Sequence, residues 1–223
     1  MPALPPRNDR SRMTPAALRA LLAERFPSGA SRQGAVEPAG LLTGLPALDV
    51  GGGLPRGAIT ELICPGAGGG ASLLLGGLLA ASRAGGSRAA LVDAHDAFDP
   101  DSFPAAVLSH LVWVRCPNPG QALAVADLLV RDANFRLVVL DLRRLSAPLL
   151  RRVPVAHWHR LRLAAETGGT TLLVQTPAPA VPSARLRLVL APSLPLAALE
   201  EERRHLLAAL APVRTRHQLA AAV

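Results

Sequence analysis

The sequence predicts an α/β fold, a mostly parallel β-sheet covered by helices on both faces. Three observations carry this. From residue 44 onward, short β-rich runs alternate with helical ones, which demands crossover connections between parallel strands. The sixth run, R-L-R-L-V-L, alternates Arg with apolar residues, as an edge strand with one wet face does. Half of the 223 residues are apolar, mostly Ala, Leu and Val, enough to bury a real core.

Taken in order, residues 1–13 are polar and Pro-rich and read as a tail. Thr14 and Pro15 open a helix. Leu18, Leu21, Leu22 and Phe26 share its apolar face. The face suits either packing on the core or binding a partner as an arm. A Gly/Ser/Pro linker then runs to residue 43. The core spans 44–192, with strands expected at 58–63, 89–93, 111–115, 136–141, 170–175 and, at an edge, 185–190. Helices are expected at 71–83, 102–109, 119–132 and 154–167. Residues 193–223 should hold one amphipathic helix, 196–211, with Glu-before-Arg pairs, and then a loose basic end.

Composition narrows the function classes. Aromatics are 3% of the chain and Tyr is absent, which disfavours base stacking as a main activity. Net charge is +8, which permits nucleic acid or an acidic partner. Every one of the 24 basic residues is Arg. Two cysteines and an N-terminus without a hydrophobic signal core predict a cytoplasmic chain. Residues 63–82 carry no charge, but six glycines and a proline interrupt them, so no membrane span is expected.

Residues 64–72, C-P-G-A-G-G-G-A-S, lie between a predicted strand and a predicted helix. A phosphate-binding loop in that place wants G-x-x-x-x-G-K-[ST]. Here Cys64 takes the first Gly position and Gly69 keeps the second. Gly70 stands where the Lys belongs and Ala71 where the Ser/Thr belongs; Ser72 is one position late. Charged hydrogen bonds are worth roughly 1.5–3 kcal/mol each. Losing two costs on the order of 3–6 kcal/mol, which turns a micromolar site millimolar or worse.

L-L-T-G-L-P-A-L-D-V-G-G-G-L-P-R-G-A-I-T-E-L-I (41–63) resembles the start of the RecA recombinase ATPase core. L-V-D-A-H-D-A-F-D-P, C-P-N-P-G-Q-A-L and L-V-V-L-D continue the resemblance in order, to about residue 190. It implies a RecA-like core in which Asp141 is the Walker B carboxylate. The family's water-activating Glu maps onto His95, and its Asp near the adenine onto Asp99. The aromatic expected after that Asp is replaced by Ser102 or displaced to Phe103. The resemblance therefore implies a degenerate loop and a pseudo-ATPase that holds neither cofactor nor metal.

The short length and the A-L-R-A-L-L-A-E-R-F-P arm are similar to RecA-like accessory proteins of the ImuA type, some described as SulA-like division inhibitors. That likeness implies an adaptor in the SOS response and in error-prone translesion synthesis. Its mutasome partners would be an ImuB-like, Y-family-related protein and an error-prone replicative-type polymerase, with RecA as a further candidate.

Residues 136–162 hold seven Arg against one acid, Asp141. Arg143, Arg144, Arg151 and Arg152 flank a Pro-containing turn and are the candidate surface for DNA or an acidic partner. The family's second DNA loop falls on P-A-P-A-V-P-S (177–183), which has no basic residue. His157 and His159 flank Trp158 at a spacing unsuited to one helix face, so Trp158 reads as a core anchor. Asp93, Asp96, Asp99 and Asp101 lack a calcium-loop pattern and read as caps. The expected function is a non-catalytic RecA-like adaptor. A DNA-binding regulator of recombination or of RecA and a SulA-like division inhibitor stand as alternatives.

Overall fold

The computed structural model describes residues 40–190 and 193–217. The predicted arm with Leu18, Leu21, Leu22 and Phe26 lies outside them. The strands are β1 (Gly40–Leu41), β2 (Leu54–Pro55), β3 (Ala58–Ile63), β4 (Arg88–Asp93), β5 (Leu111–Arg115), β6 (Phe135–Asp141), β7 (Thr171–Thr176), β8 (Leu186–Val189) and β9 (Val213–His217). The helices are α1 (Pro46–Asp49), α2 (Ala71–Ala84), α3 (Ala105–Leu108), α4 (Pro119–Arg131), α5 (Ala147–Arg151), α6 (Val155–Gly168) and α7 (Arg203–Ala209).

β1 and β2 pair as a small antiparallel ribbon. The seven-stranded main sheet has the order β5-β4-β6-β7-β3-β8-β9. Six of its strands run parallel to one another, in five neighbouring pairs, and β9 alone is antiparallel, against β8. β3 and β7 lie inside the sheet, and all six residues of each are buried. Pleating sends alternate side chains to opposite faces. Leu91, Leu137, Val139 and Leu173 join one core with Leu74, Leu75, Leu78 and Leu79 of α2. The alternate residues, among them Val92, Val138, Leu140 and Val174, are buried on the other face, where α4 and α6 pack. Trp158 of α6 is fully buried there, as a core anchor should be.

The T-G-x-x-x-L-D stretch has a local physical role. Asp49 accepts from Thr43 N–H and Thr43 Oγ1, both at 2.8 Å, and from Gly44 N–H at 2.9 Å. Gly44 has φ 78°, where an L residue would be strained. This turn seats Thr43 against α2: a Cβ at Gly77 would fall 2.6 Å from the Thr43 carbonyl oxygen.

Three predicted elements differ. The helix expected at 102–109 is a 3-10 turn, Pro100–Ser102, and the short α3, because Pro104 cannot continue the turn's hydrogen bonding. The helix expected at 196–211 breaks into a 3-10 turn, Leu196–Glu200, and α7, with Glu201 and Glu202 extended between them. Both Ala198 and Leu210 are buried. Twelve residues apart on one straight helix they would point about 120° from each other. The break lets both face the core. The basic end expected to be loose contributes β9, which pairs with β8, so β9 and not the 185–190 strand takes the edge position. Arg214 fixes it further by donating to the Leu48 carbonyl at 3.4 Å.

Candidate functional site

β3 lies inside the sheet, between β7 and β8, and its carboxyl end carries the Gly-rich loop. Cys64 N–H donates to the Thr176 carbonyl at 2.7 Å, which fixes the point where the chain leaves the sheet. Gly68 and Gly70 have φ 78° and 86°. Gly70 is the N-cap of α2, and no side chain caps the helix. The strand–loop–helix geometry expected from the motif is present.

The carboxy-terminal segment occupies the space above the loop. Leu194 N–H donates to the Gly68 carbonyl at 3.0 Å. A Cβ built on Gly70 would fall 2.6 Å from Leu210 Cδ1, and Leu210 is 6% exposed. A lysine at this position would therefore have to push the Leu210 side chain aside. A cavity of about 520 Å³ remains beside the loop. Its walls include Cys64, Ser72, Leu194, Leu196, Leu206 and Arg143.

Asp141 ends β6, one strand away from β7 and two from β3. Arg143 folds back onto it. Its Nε lies 2.9 Å from Asp141 Oδ1 and its Nη2 2.6 Å from Oδ2, and its backbone N–H donates to Oδ1 at 3.0 Å. A two-point guanidinium–carboxylate pair of this kind is among the stronger side-chain contacts. Burial opposes the Arg143 charge, but Asp141 outweighs it and raises the Arg143 pKa above its usual value. The carboxylate is thus committed to an internal cation, which a metal ion would have to displace. Gln175 lies beside Asp141 in register and is buried.

The other expected site residues do not converge here. His95 and Asp99 are exposed, and neither lines the cavity. Asp99 accepts from Asp101 N–H at 3.1 Å and Ser102 Oγ at 2.6 Å, so it caps the 3-10 turn. Phe103 is buried and stacks on Phe98 with centroids 5.1 Å apart. Asp93 accepts from Phe98, Ala97 and His95 N–H groups; burial pushes its pKa up, but these donors hold it below the usual carboxylate value. Of the four arginines grouped as one surface, Arg143 turns inward to Asp141, while Arg144, Arg151 and Arg152 are exposed.

Burial pushes the Cys64 thiol up to about 12; nearby Arg143 pulls it down and Asp141 pushes it up. Burial, with Asp93, pushes Cys116 up to about 11. Both folded values lie above the unfolded thiol value, so the stability these groups contribute is complete below about pH 8.5 and is lost as pH rises toward the folded values. The chain has no Lys and no Tyr, so these thiols are the side chains whose ordinary pKa falls in that window. The urea midpoint should fall between pH 9 and 11 for the wild type. It should fall less in a Cys64→Ala/Cys116→Ala variant; equal slopes would show that the thiols are not responsible.

Two contributors escaped sequence reasoning. Leu210 carries no motif, and Arg143 looked like one of an exposed group. The spacing of Arg143 two residues after a strand-terminal Asp was the available clue.

A family profile described as RecA N-terminal domain matches residues 30–149. Residues of the chain are 44% identical, over 104 positions, to a protein RecA of Leifsonia xyli, covering 44% of this chain and 29% of that relative. They are 44% identical over 104 positions to a protein RecA of Clavibacter michiganensis, covering 44% of this chain and 28% of the relative. They are 41% identical over 111 positions to a protein RecA of Salinispora tropica, covering 48% of this chain and 32% of the relative. The chain thus spans about a third or less of the length of these relatives.

Proposed function

The chain belongs to the RecA N-terminal domain family, and from that premise we propose that it is a non-catalytic, RecA-like adaptor of the DNA damage response. It supports error-prone translesion synthesis by holding polymerase components together. The partners are an ImuB-like, Y-family-related protein and an error-prone replicative-type polymerase.

One observation carries the non-catalytic reading. The position of the phosphate-binding Lys is a left-handed Gly70 covered by Leu210. Two others support it. Ala71 offers no hydroxyl to a metal ion, and Asp141 is held by Arg143. Without Lys and a metal, the triphosphate charge has no counter-charge in the loop, whose backbone N–H groups alone bind anions weakly. A RecA-like scaffold that has lost this chemistry keeps its surfaces, and an adaptor needs only those.

Calorimetry with Mg²⁺ and millimolar ATP tests the first half. No heat and no thermal shift are expected; micromolar binding would overturn it. Co-expression with the two polymerase components tests the second half. Co-purification with at least one of them is expected, and its absence with both would remove the adaptor reading.

A further inference from the structure

Apart from the loop cavity, the chain carries another concave surface, built from segments that follow the carboxyl ends of β6 and β7. α5, the first turn of α6 and the 177–183 segment enclose a groove of about 310 Å³. Its lining is mostly apolar, with Leu150, Val153, Val155, Pro179, Pro182 and Trp158 beside the two arginines Arg151 and Arg187. Val155 is 54% exposed, and Leu149, which precedes Leu150 on α5, is 46% exposed.

One wall is held rigidly. Glu61, fully buried in β3, accepts from the N–H groups of Ala180 at 2.6 Å and Val181 at 3.0 Å. Arg187 donates to Glu61 Oε2 at 2.6 Å and to the Val181 carbonyl at 3.2 Å. A groove preformed in this way does not have to be ordered when something binds.

The segment that forms much of the groove is rich in arginine. From Leu142 to Ala165 the chain has six Arg and no acid. Arg143, Arg160 and Arg162 are paired with Asp141, Asp127 and Glu166. Arg144, Arg151 and Arg152 are exposed and form no ion pair among the described residues, and Arg151 lines the groove itself. An apolar floor with the unpaired Arg151 in its wall, and exposed Arg152 next to it in the chain, is complementary to a segment that carries both apolar and acidic side chains. A single-stranded nucleic acid would supply the charge but wants aromatic faces to stack on. The aromatic ring of this groove, Trp158, is 1% exposed.

We propose that this groove docks a short acidic segment with apolar side chains from a partner protein. The inference rests on the adaptor reading only in taking the chain to work through protein contacts.

The probe is a fluorescein-labelled decapeptide alternating Glu with Leu, measured by polarisation against the full chain. The comparison ligands are a Glu/Ser decapeptide and a 15-nucleotide oligo-dT. Saturable binding of the Glu/Leu peptide is expected, with the Glu/Ser peptide at least about tenfold weaker. An Arg151→Glu/Arg152→Glu variant should weaken Glu/Leu binding at least about tenfold, and a Val155→Asp variant should do the same. All three substituted side chains are exposed, and an unchanged melting curve checks the fold. No binding, or binding indifferent to these variants, overturns the groove. So does oligo-dT binding that is lost in the same variants while the peptide does not compete. If the peptide fails but the polymerase components still co-purify, the groove is wrong and the adaptor reading stands; if co-purification fails, the adaptor reading falls on its own.

Discussion

Replacing Glu61 by Ala is expected to destabilise the fold by about 3–5 kcal/mol, toward the lower figure because Arg187 keeps some access to water. Glu61 is 0% exposed and its Arg187 partner 19% exposed. Removing the carboxylate leaves a largely buried guanidinium without its counter-charge. It also removes the acceptor of two backbone N–H groups and of Thr176 Oγ1, 3.2 Å away. Typical domains have about 5–15 kcal/mol in total, so a urea midpoint should register the loss plainly. Glu61→Gln keeps an oxygen for the Ala180 and Val181 amides but loses the charge and turns the acceptor facing Arg187 into an NH2 donor, so it should cost less, about 1–3 kcal/mol. Equal losses in the two variants would mean that the amide contacts contribute nothing. The consequence reaches the groove: with its wall released, the peptide probe should bind more weakly to Glu61→Ala even under conditions where the variant is folded.

The parallel strands were legible because each is a run of apolar residues bounded by Gly, Pro or polar residues, a pattern set by burial on both faces. Ala58–Ile63 and Leu111–Arg115 fall where they were expected, and the other core strands lie within two residues of expectation. V-R-T-R-H did not read as a strand, because three of its five side chains are basic or titratable and its pairing partner, β8, has only four residues. Such a strand is specified by the open edge of β8, which is a tertiary feature. The Gly-rich loop was legible from composition. What covers it was not: Leu210 lies 140 residues downstream in an ordinary leucine-rich stretch, and only folding brings it over Gly70. Arg143 shows the same limit in reverse. Beside Arg144 it reads as surface charge, yet a turn of two residues places it on Asp141. Neighbouring arginines with the same sequence context differ because one has a buried carboxylate within reach.

That geometry makes the loop resistant to simple repair. Gly70→Lys/Ala71→Thr restores the residue types of an ATP-binding loop, yet it should lower stability by about 2–5 kcal/mol and bring no ATP binding. A non-glycine residue at φ 86° costs roughly 1–2 kcal/mol. Forcing a side chain against Leu210 adds about 1–3 kcal/mol of overpacking. Adding Leu210→Ala removes the collision, but the backbone strain at Gly70 persists and a buried leucine is lost, itself worth about 2–5 kcal/mol. Even then Asp141 faces Arg143, so the metal ion would have to compete with a guanidinium at hydrogen-bond distance. Urea titration and calorimetry with Mg²⁺-ATP on the double and triple variants give both readouts. If the double variant kept wild-type stability and bound ATP at micromolar concentration, the loop would stand two substitutions from a working site. Its covering by Leu210 would then be a reversible closure, and the adaptor reading would have to include a nucleotide.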